Sequence, residues 1–164
     1  MAAIEVPPRH HPRSAQDEAL RFARTCYDHS AGRLGVAIAD ALIAKGYVVL
    51  AEDGGEVTTA GRKFLSGFGA WLETKSNSKR MFCRACLDWS ERRHHIAGLV
   101  GVELLRRCLA LGWLARERNS RAVTVTAAGR AGLRDTFGVD SDALTAAAPR
   151  MPARAAPKPA RAGR

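Results

Sequence analysis

The ten residues from His29, His-Ser-Ala-Gly-Arg-Leu-Gly-Val-Ala-Ile, return from His95 as His-Ile-Ala-Gly-Leu-Val-Gly-Val-Glu-Leu at a constant offset of 66. The same register carries Gly46-Tyr47 onto Gly112-Trp113, and Thr58-Thr-Ala-Gly-Arg62 matches Thr126-Ala-Ala-Gly-Arg130 at offset 68. Cys26 and Asp28 fall on Cys86 and Asp88 at offset 60, so six extra residues lie between Cys86 and His95 and two between Trp113 and Thr126. The pattern reads as a duplicated unit. Each copy is only about sixty residues long, too small to bury a generous core alone, and the two are expected to share one.

The elements follow from periodicity and caps. Ala15 to Tyr27 has apolar residues at helical spacing, Ser14 as a cap, and Asp17 and Glu18 in the first turn. A second helix is expected from about Ala31 to Lys45, where Leu34, Ile38 and Leu42 recur every four residues and Gly46 supplies a stop. Tyr47 to Ala51 and Glu56 to Thr58 read as strands around an Asp53-Gly54-Gly55 turn. Thr58 or Thr59 then caps a helix over Ala60 to Trp71 with Phe64, Leu65 and Phe68 on its apolar face. Polar Thr74 to Lys79 separates the halves. The expected fold is α+β and mostly helical. It comprises two tandem winged-helix-like units of helix, helix, hairpin and helix, at residues 14–73 and 80–140, packed as one body.

The two ends have a different composition. Residues 149–164 combine Pro and Ala with Arg150, Arg154, Lys158, Arg161 and Arg164 and contain no acid, which accounts for half of the formal charge of +10. Without apolar periodicity this tail is expected to be disordered, either as a basic arm for nucleic acid or as a solubilising end. Residues 1–13, with Pro7, Pro8 and Pro12 around His10 and His11, read as a flexible leader whose paired imidazoles are an alternative metal catch. No stretch has the roughly 20 apolar residues of a membrane span, and the N-terminus lacks signal-peptide features. A cytoplasmic protein with four reduced cysteines is the expectation.

The candidate chemistry lies in Cys83, Cys86, Cys26, His29, His94 and His95, whose thiolate and imidazole donors suit zinc, cadmium or another soft metal. Placed on a helix, Cys83 and Cys86 form a CxxC able to bring both sulfurs to one ion, with a third ligand from Cys26 or His29 if the halves pack face to face. The alternative is that Cys26 and Cys86 are buried small residues and that the histidines pack beside the second helices. Cys83, His94 and Trp89 to Arg93 have no counterpart in the first copy and are the better candidates for chemistry peculiar to the second. Cys108 falls where the first copy has Leu42 and reads as core. Gly32, Gly35, Gly98 and Gly101 read as close helix contacts, or as open backbone donors for an anion. Asp28 and Asp88 are candidates to cap the following helix or hold an arginine, and Arg92 or Arg93 to pair with Glu91 or with the first half. Arg116, Arg118 and Arg121 on the second hairpin form a basic wing suited to phosphate, against the acidic Glu52, Asp53 and Glu56 on the first. A set of Cys86, His95 and Asp88 lacks any nucleophile elbow or oxyanion loop, so the chain is not expected to be an enzyme.

Cys26-Tyr-Asp-His-x-Ala-Gly-x-Leu-Gly, Cys86-Leu-Asp-Trp-Ser-Glu-Arg-Arg-x-His-x-Ala-Gly and Thr126-x-Ala-Gly-Arg130 resemble the C-terminal region of long members of the ArsR/SmtB family of bacterial transcriptional regulators. The likeness runs from about Glu18 to Val139. It implies a regulator that binds duplex DNA as a homodimer and whose effectors are often soft metals held by cysteine. The DNA-reading winged helix of that family lies N-terminal to the matching region and has no counterpart before Glu18, and the family's Cys-x-Cys ligand pattern is absent. The resemblance therefore implies the effector-sensing and dimerisation part of such a regulator. The competing expectation is a protein-interaction or zinc-stabilised module without direct DNA contact.

Overall fold

The structure, a computed structural model, describes residues 14–51, 54–73 and 81–146. The leader, the basic tail, the Thr74 to Lys79 boundary, and Glu52 and Asp53 lie outside the described residues. The element order is α1 (Ala15–Phe22), β1 (Arg24–Cys26), β2 (His29–Ala31), α2 (Gly32–Ala44), β3 (Val48–Ala51), β4 (Gly54–Val57) and α3 (Thr59–Phe68). The second half follows with β5 (Arg84–Leu87), β6 (His94–Ala97), α4 (Gly98–Ala110), β7 (Leu114–Arg116), β8 (Val123–Val125), α5 (Ala127–Phe137) and α6 (Ser141–Ala146). Each half is a winged-helix-like unit, α+β in class, whose strands form two-stranded antiparallel hairpins, with an isolated bridge between Arg24 and Ala122 joining the halves.

One expectation is corrected. Helix α1 stops at Phe22 instead of running to Tyr27, and Ala23 turns to extended backbone with φ −152° and ψ 129°. Ser14 makes the expected cap, reciprocated by Asp17 in a capping box. What ends the helix is tertiary pairing: Thr25 N–H donates to Arg121 O at 2.8 Å and Val123 N–H to Ala23 O at 3.0 Å, so the chain after α1 is drawn along the second wing. It then reverses at Tyr27, whose φ of 55° is left-handed. Each long helix is therefore preceded by a hairpin, β1–β2 after α1 in the first half and β5–β6 in the second, where among the described residues no helix stands in the place expected for the unit's first.

These hairpins interlock the halves. Helix α2 packs on β6 of the other half, α4 packs on β2, and β2 lies against β6. Leu34, Ile38, Ala39 and Leu42 of α2 and Val100, Leu104, Leu105 and Cys108 of α4 join one buried cluster, together with Val48, Val57 and Leu65 of the first wing unit and Leu114, Val123, Leu133 and Phe137 of the second. Cys108 is core, as its leucine-equivalent position implies. On α3, Leu65 is buried while Phe64 and Phe68 pack partly covered against the cluster. Gly32 and Gly98 both begin their helices at φ +79°, and a Cβ there would press on the backbone carbonyls of Arg21 and Phe22 or of Met81 and Phe82. The close approach expected at these glycines is thus to the end of helix α1 at Gly32, and to the non-helical backbone ahead of β5 at Gly98. No helix among the described residues is long and apolar enough to cross a membrane.

Candidate functional site

Antiparallel register decides which side chains meet. In the first hairpin Cys26 is the cross-strand partner of His29, and in the second Cys86 is the partner of His95. Directly opposed residues project from the same face of a hairpin, so each hairpin presents one sulfur beside one imidazole. Because β2 lies against β6, the two pairs face each other across the seam. The ligand atoms of Cys26, His29, Cys86 and His95 all lie within 4.8 Å of one another, with both histidines buried and both cysteines half-buried. His29 Nε2 is 3.1 Å from His95 Nε2.

The other two candidate ligands are elsewhere. Cys86 lies on β5 and Cys83 at a bend just before it, so the CxxC is not on a helix. Cys83 points away from the seam into the core, where its Sγ lies 2.8 Å from the position a Cβ on Gly55 of the first wing would occupy. His94 is exposed on β6 opposite Leu87. The structure therefore brings together four of the six candidates, and they are the four with counterparts in both halves.

The electrostatics around the seam are set by a residue that the sequence reading passed over, Arg24. It is 1% exposed and its guanidinium reaches Asp88, which is fully buried, with Nη2 at 2.9 Å from both carboxylate oxygens. Nη1 donates to Leu20 O at 3.0 Å, and the indole of Trp89 lies with its centroid 4.6 Å from the guanidinium carbon. Asp88 also accepts the Gly32 N–H at 2.7 Å, the Ser90 N–H at 2.9 Å and the Ser90 hydroxyl at 2.8 Å. Burial alone would raise the Asp88 pKa, but the Gly32 N–H, the Arg24 guanidinium and Ser90 together hold it well below the usual carboxylate range. Asp88 thus holds an arginine from the first half, as expected, but the helix whose first N–H it satisfies is α2 of the other half and not the following helix, α4, which has no side-chain cap. The inserted residues Trp89 to Arg93 form the loop around it, closed by Asp88 N–H to Arg93 O at 2.8 Å, and Arg93 pairs with Asp40 of the first half at 2.8 Å.

Both imidazoles have a carboxylate behind them. His29 Nδ1 is 3.5 Å from Asp28 Oδ1, and His95 Nδ1 is 3.3 Å from Asp88 Oδ2 without a hydrogen bond between them. Burial, then the neighbouring His29, pull the His95 pKa down to about 4 against the opposing pull of Asp88, so His95 is neutral at pH 7. The Cys86 thiol is pushed up by burial and by the adjacent Cys26 thiol. All four cysteines are free thiols.

Cys83 and Cys108 behave as core. Burial pushes their pKa values up to about 11 and about 12. The thiolate is the reactive form. At pH 8 both should alkylate with iodoacetamide at least about a hundredfold more slowly in the folded protein than in the unfolded chain. Peptide mass spectrometry of timed samples checks this; prompt labelling of either before unfolding would contradict the packing.

Arg116, Arg118 and Arg121 are all exposed on the second wing, around a tip where Asn119 has a φ of 59°. They stand apart from the Cys/His seam but are joined to it through the backbone, since Arg121 O accepts the Thr25 N–H next to Cys26.

Over 117 residues the chain is 44% identical to a Bacillus subtilis (strain 168) protein named "Uncharacterized HTH-type transcriptional regulator YdfF", a match covering 71% of this chain and 52% of that protein. The chain therefore spans about half the length of this curated relative. No family model and no solved structure matches it.

Proposed function

We propose that this chain is the effector-sensing and dimerising part of an ArsR-type cytoplasmic transcription regulator, which acts on duplex DNA as a homodimer and responds to a soft metal at the Cys/His seam. The observation that carries the reading is the 44% identity to a protein named as an HTH-type transcriptional regulator. Two winged-helix-like units and an exposed arginine wing agree with it, and the formal charge of +10 favours a polyanionic partner.

The mechanism follows from the interlock. Cys26 and His29 belong to one half, Cys86 and His95 to the other, so anything that draws the four together fixes how the halves pack. An effector with different affinity for two packings shifts the population between them. Because β1 pairs with the β8 edge through Thr25 and Ala23, the second wing is the first surface to feel that shift.

Fluorescence anisotropy on a labelled duplex, titrated at several salt concentrations, tests DNA contact. Three phosphate-contacting arginines contribute roughly −2 to −3 to the slope of log K against log salt. Replacing Arg116, Arg118 and Arg121 by Ala should flatten the slope by that amount and weaken binding on all sequences. No binding by the unmodified chain at low salt would remove direct DNA contact and leave the second reading, a zinc-stabilised interaction module, which the four-donor cluster favours.

A further inference from the structure

We propose that the seam binds one divalent cation of the zinc class in a closed four-coordinate site formed by Cys26 Sγ, Cys86 Sγ, His29 Nε2 and His95 Nε2, two ligands from each half. The inference rests on the seam being the effector site only for its regulatory consequence; the coordination chemistry stands without it.

Three observations converge. The first is spacing: tetrahedral zinc with bonds of about 2.3 Å to sulfur and about 2.0 Å to nitrogen needs donor separations of roughly 3.3–3.8 Å. The four donors already lie within 4.8 Å of one another and the two Nε2 atoms are 3.1 Å apart, so closing on an ion requires side-chain adjustment and no rearrangement of the hairpins. The second is the carboxylate behind each ring, Asp28 at His29 Nδ1 and Asp88 at His95 Nδ1. Ligating histidines commonly have a carboxylate beside the outer ring nitrogen, and both rings here have one within 3.5 Å. The third is charge. Arg24 is neutralised by bidentate contact with Asp88, so no unpaired cation from that quarter opposes the ion.

The donor set selects the metal. Magnesium and calcium require oxygen ligands, whereas a tetrahedral S2N2 set suits zinc. Binding replaces two S–H bonds with two metal–sulfur bonds and releases two protons, leaving a neutral centre of one dication and two thiolates. The ion ties β1–β2 to β5–β6 and so pins the two halves together.

The test uses the full chain stripped with a chelator and titrated with cobalt(II) as the probe. The expected result is one equivalent bound, with thiolate-to-cobalt charge-transfer absorption and the intense d–d bands of a tetrahedral site, displaced by zinc. Cys26→Ser, Cys86→Ser and His95→Gln should each weaken binding at least tenfold, while Cys83→Ser and His94→Gln leave the spectrum unchanged. Circular dichroism reports whether each variant is folded. Unmodified protein supplies an independent reading, since zinc should shield Cys26 and Cys86 from alkylation. A weak octahedral cobalt spectrum, unshielded thiols, or loss of the site in Cys83→Ser with retention in Cys26→Ser would overturn the assignment. If the tetrahedral spectrum appears but DNA affinity is the same with and without zinc, the site stands and the regulatory reading falls. If DNA binding is intact but the spectrum is absent, the site and the metal response both fall, and the reading of the chain as a DNA-binding regulator stands.

Discussion

Asp88→Ala should cost about 3–5 kcal/mol of unfolding free energy, the range for removing one partner of a buried ion pair. The carboxylate is fully buried. Its loss leaves the Arg24 guanidinium, 1% exposed, as an uncompensated buried charge. It also strips the Gly32 N–H at the start of α2 and the Ser90 N–H of their acceptor. Arg24→Met should cost less, because the carboxylate keeps those backbone donors. In a double-mutant cycle, Arg24→Met with Asp88→Asn isolates the ionic coupling from the amide contacts that asparagine partly retains. Urea unfolding gives the values directly. A loss below about 1 kcal/mol for Asp88→Ala would mean that the site admits water or that the halves are held without this pair.

This contact also shows where sequence reading stops. Periodicity located α2 and the wing strands, and the Thr caps located α3, because those features are encoded in consecutive residues. The internal match showed that Cys108 occupies a leucine position, and the buried cluster contains it. The hairpins β1–β2 and β5–β6 were not legible. Each strand is only three or four residues long, and Arg24-Thr-Cys continues the helical spacing of α1. Its strand state comes from pairing with Arg121 and Val123, nearly a hundred residues away. Once the hairpins are known, much of the site follows, since the Cys26–His29 and Cys86–His95 pairs are set by register. The same fact separates Cys83 from Cys86, because the CxxC is not on a helix. Arg24 falls on Arg84 at the offset that carries Cys26 onto Cys86, but no motif marked it, and only the tertiary fold brings it to Asp88, a residue the sequence did flag as able to hold an arginine.

Replacing Gly61 or Gly129 by Ala should destabilise the protein by about 1–3 kcal/mol each, although alanine is the better helix former by about 1 kcal/mol. Each glycine is the third helical residue after a capping threonine, whose Oγ1 accepts its N–H at 3.0 Å for Thr58 and 2.9 Å for Thr126. A Cβ at either site would fall well under 3.0 Å from a backbone carbonyl, Tyr47 O for Gly61 and Trp113 O for Gly129. That carbonyl cannot swing aside, because it accepts the N–H of the capping threonine, Thr58 at 3.1 Å or Thr126 at 3.0 Å. The clash is therefore met by backbone, and relieving it means lifting the helix from the strand that follows α2 or α4. Gly67, exposed in α3, has nothing within 4 Å of its Cβ position. Gly67→Ala should accordingly be neutral or stabilise by up to about 1 kcal/mol. Opposite signs at Gly61 and Gly67, within one helix, would separate packing from propensity on a single denaturation series. A loss at Gly129 matched by one at Gly61 would further show that both wings are held to their helices by the same contact, so that neither half is a loosely attached passenger on the other. Stabilisation at Gly61 or Gly129 would mean that the strand-to-helix junction yields, and with it the rigid link from the seam to the arginine wing.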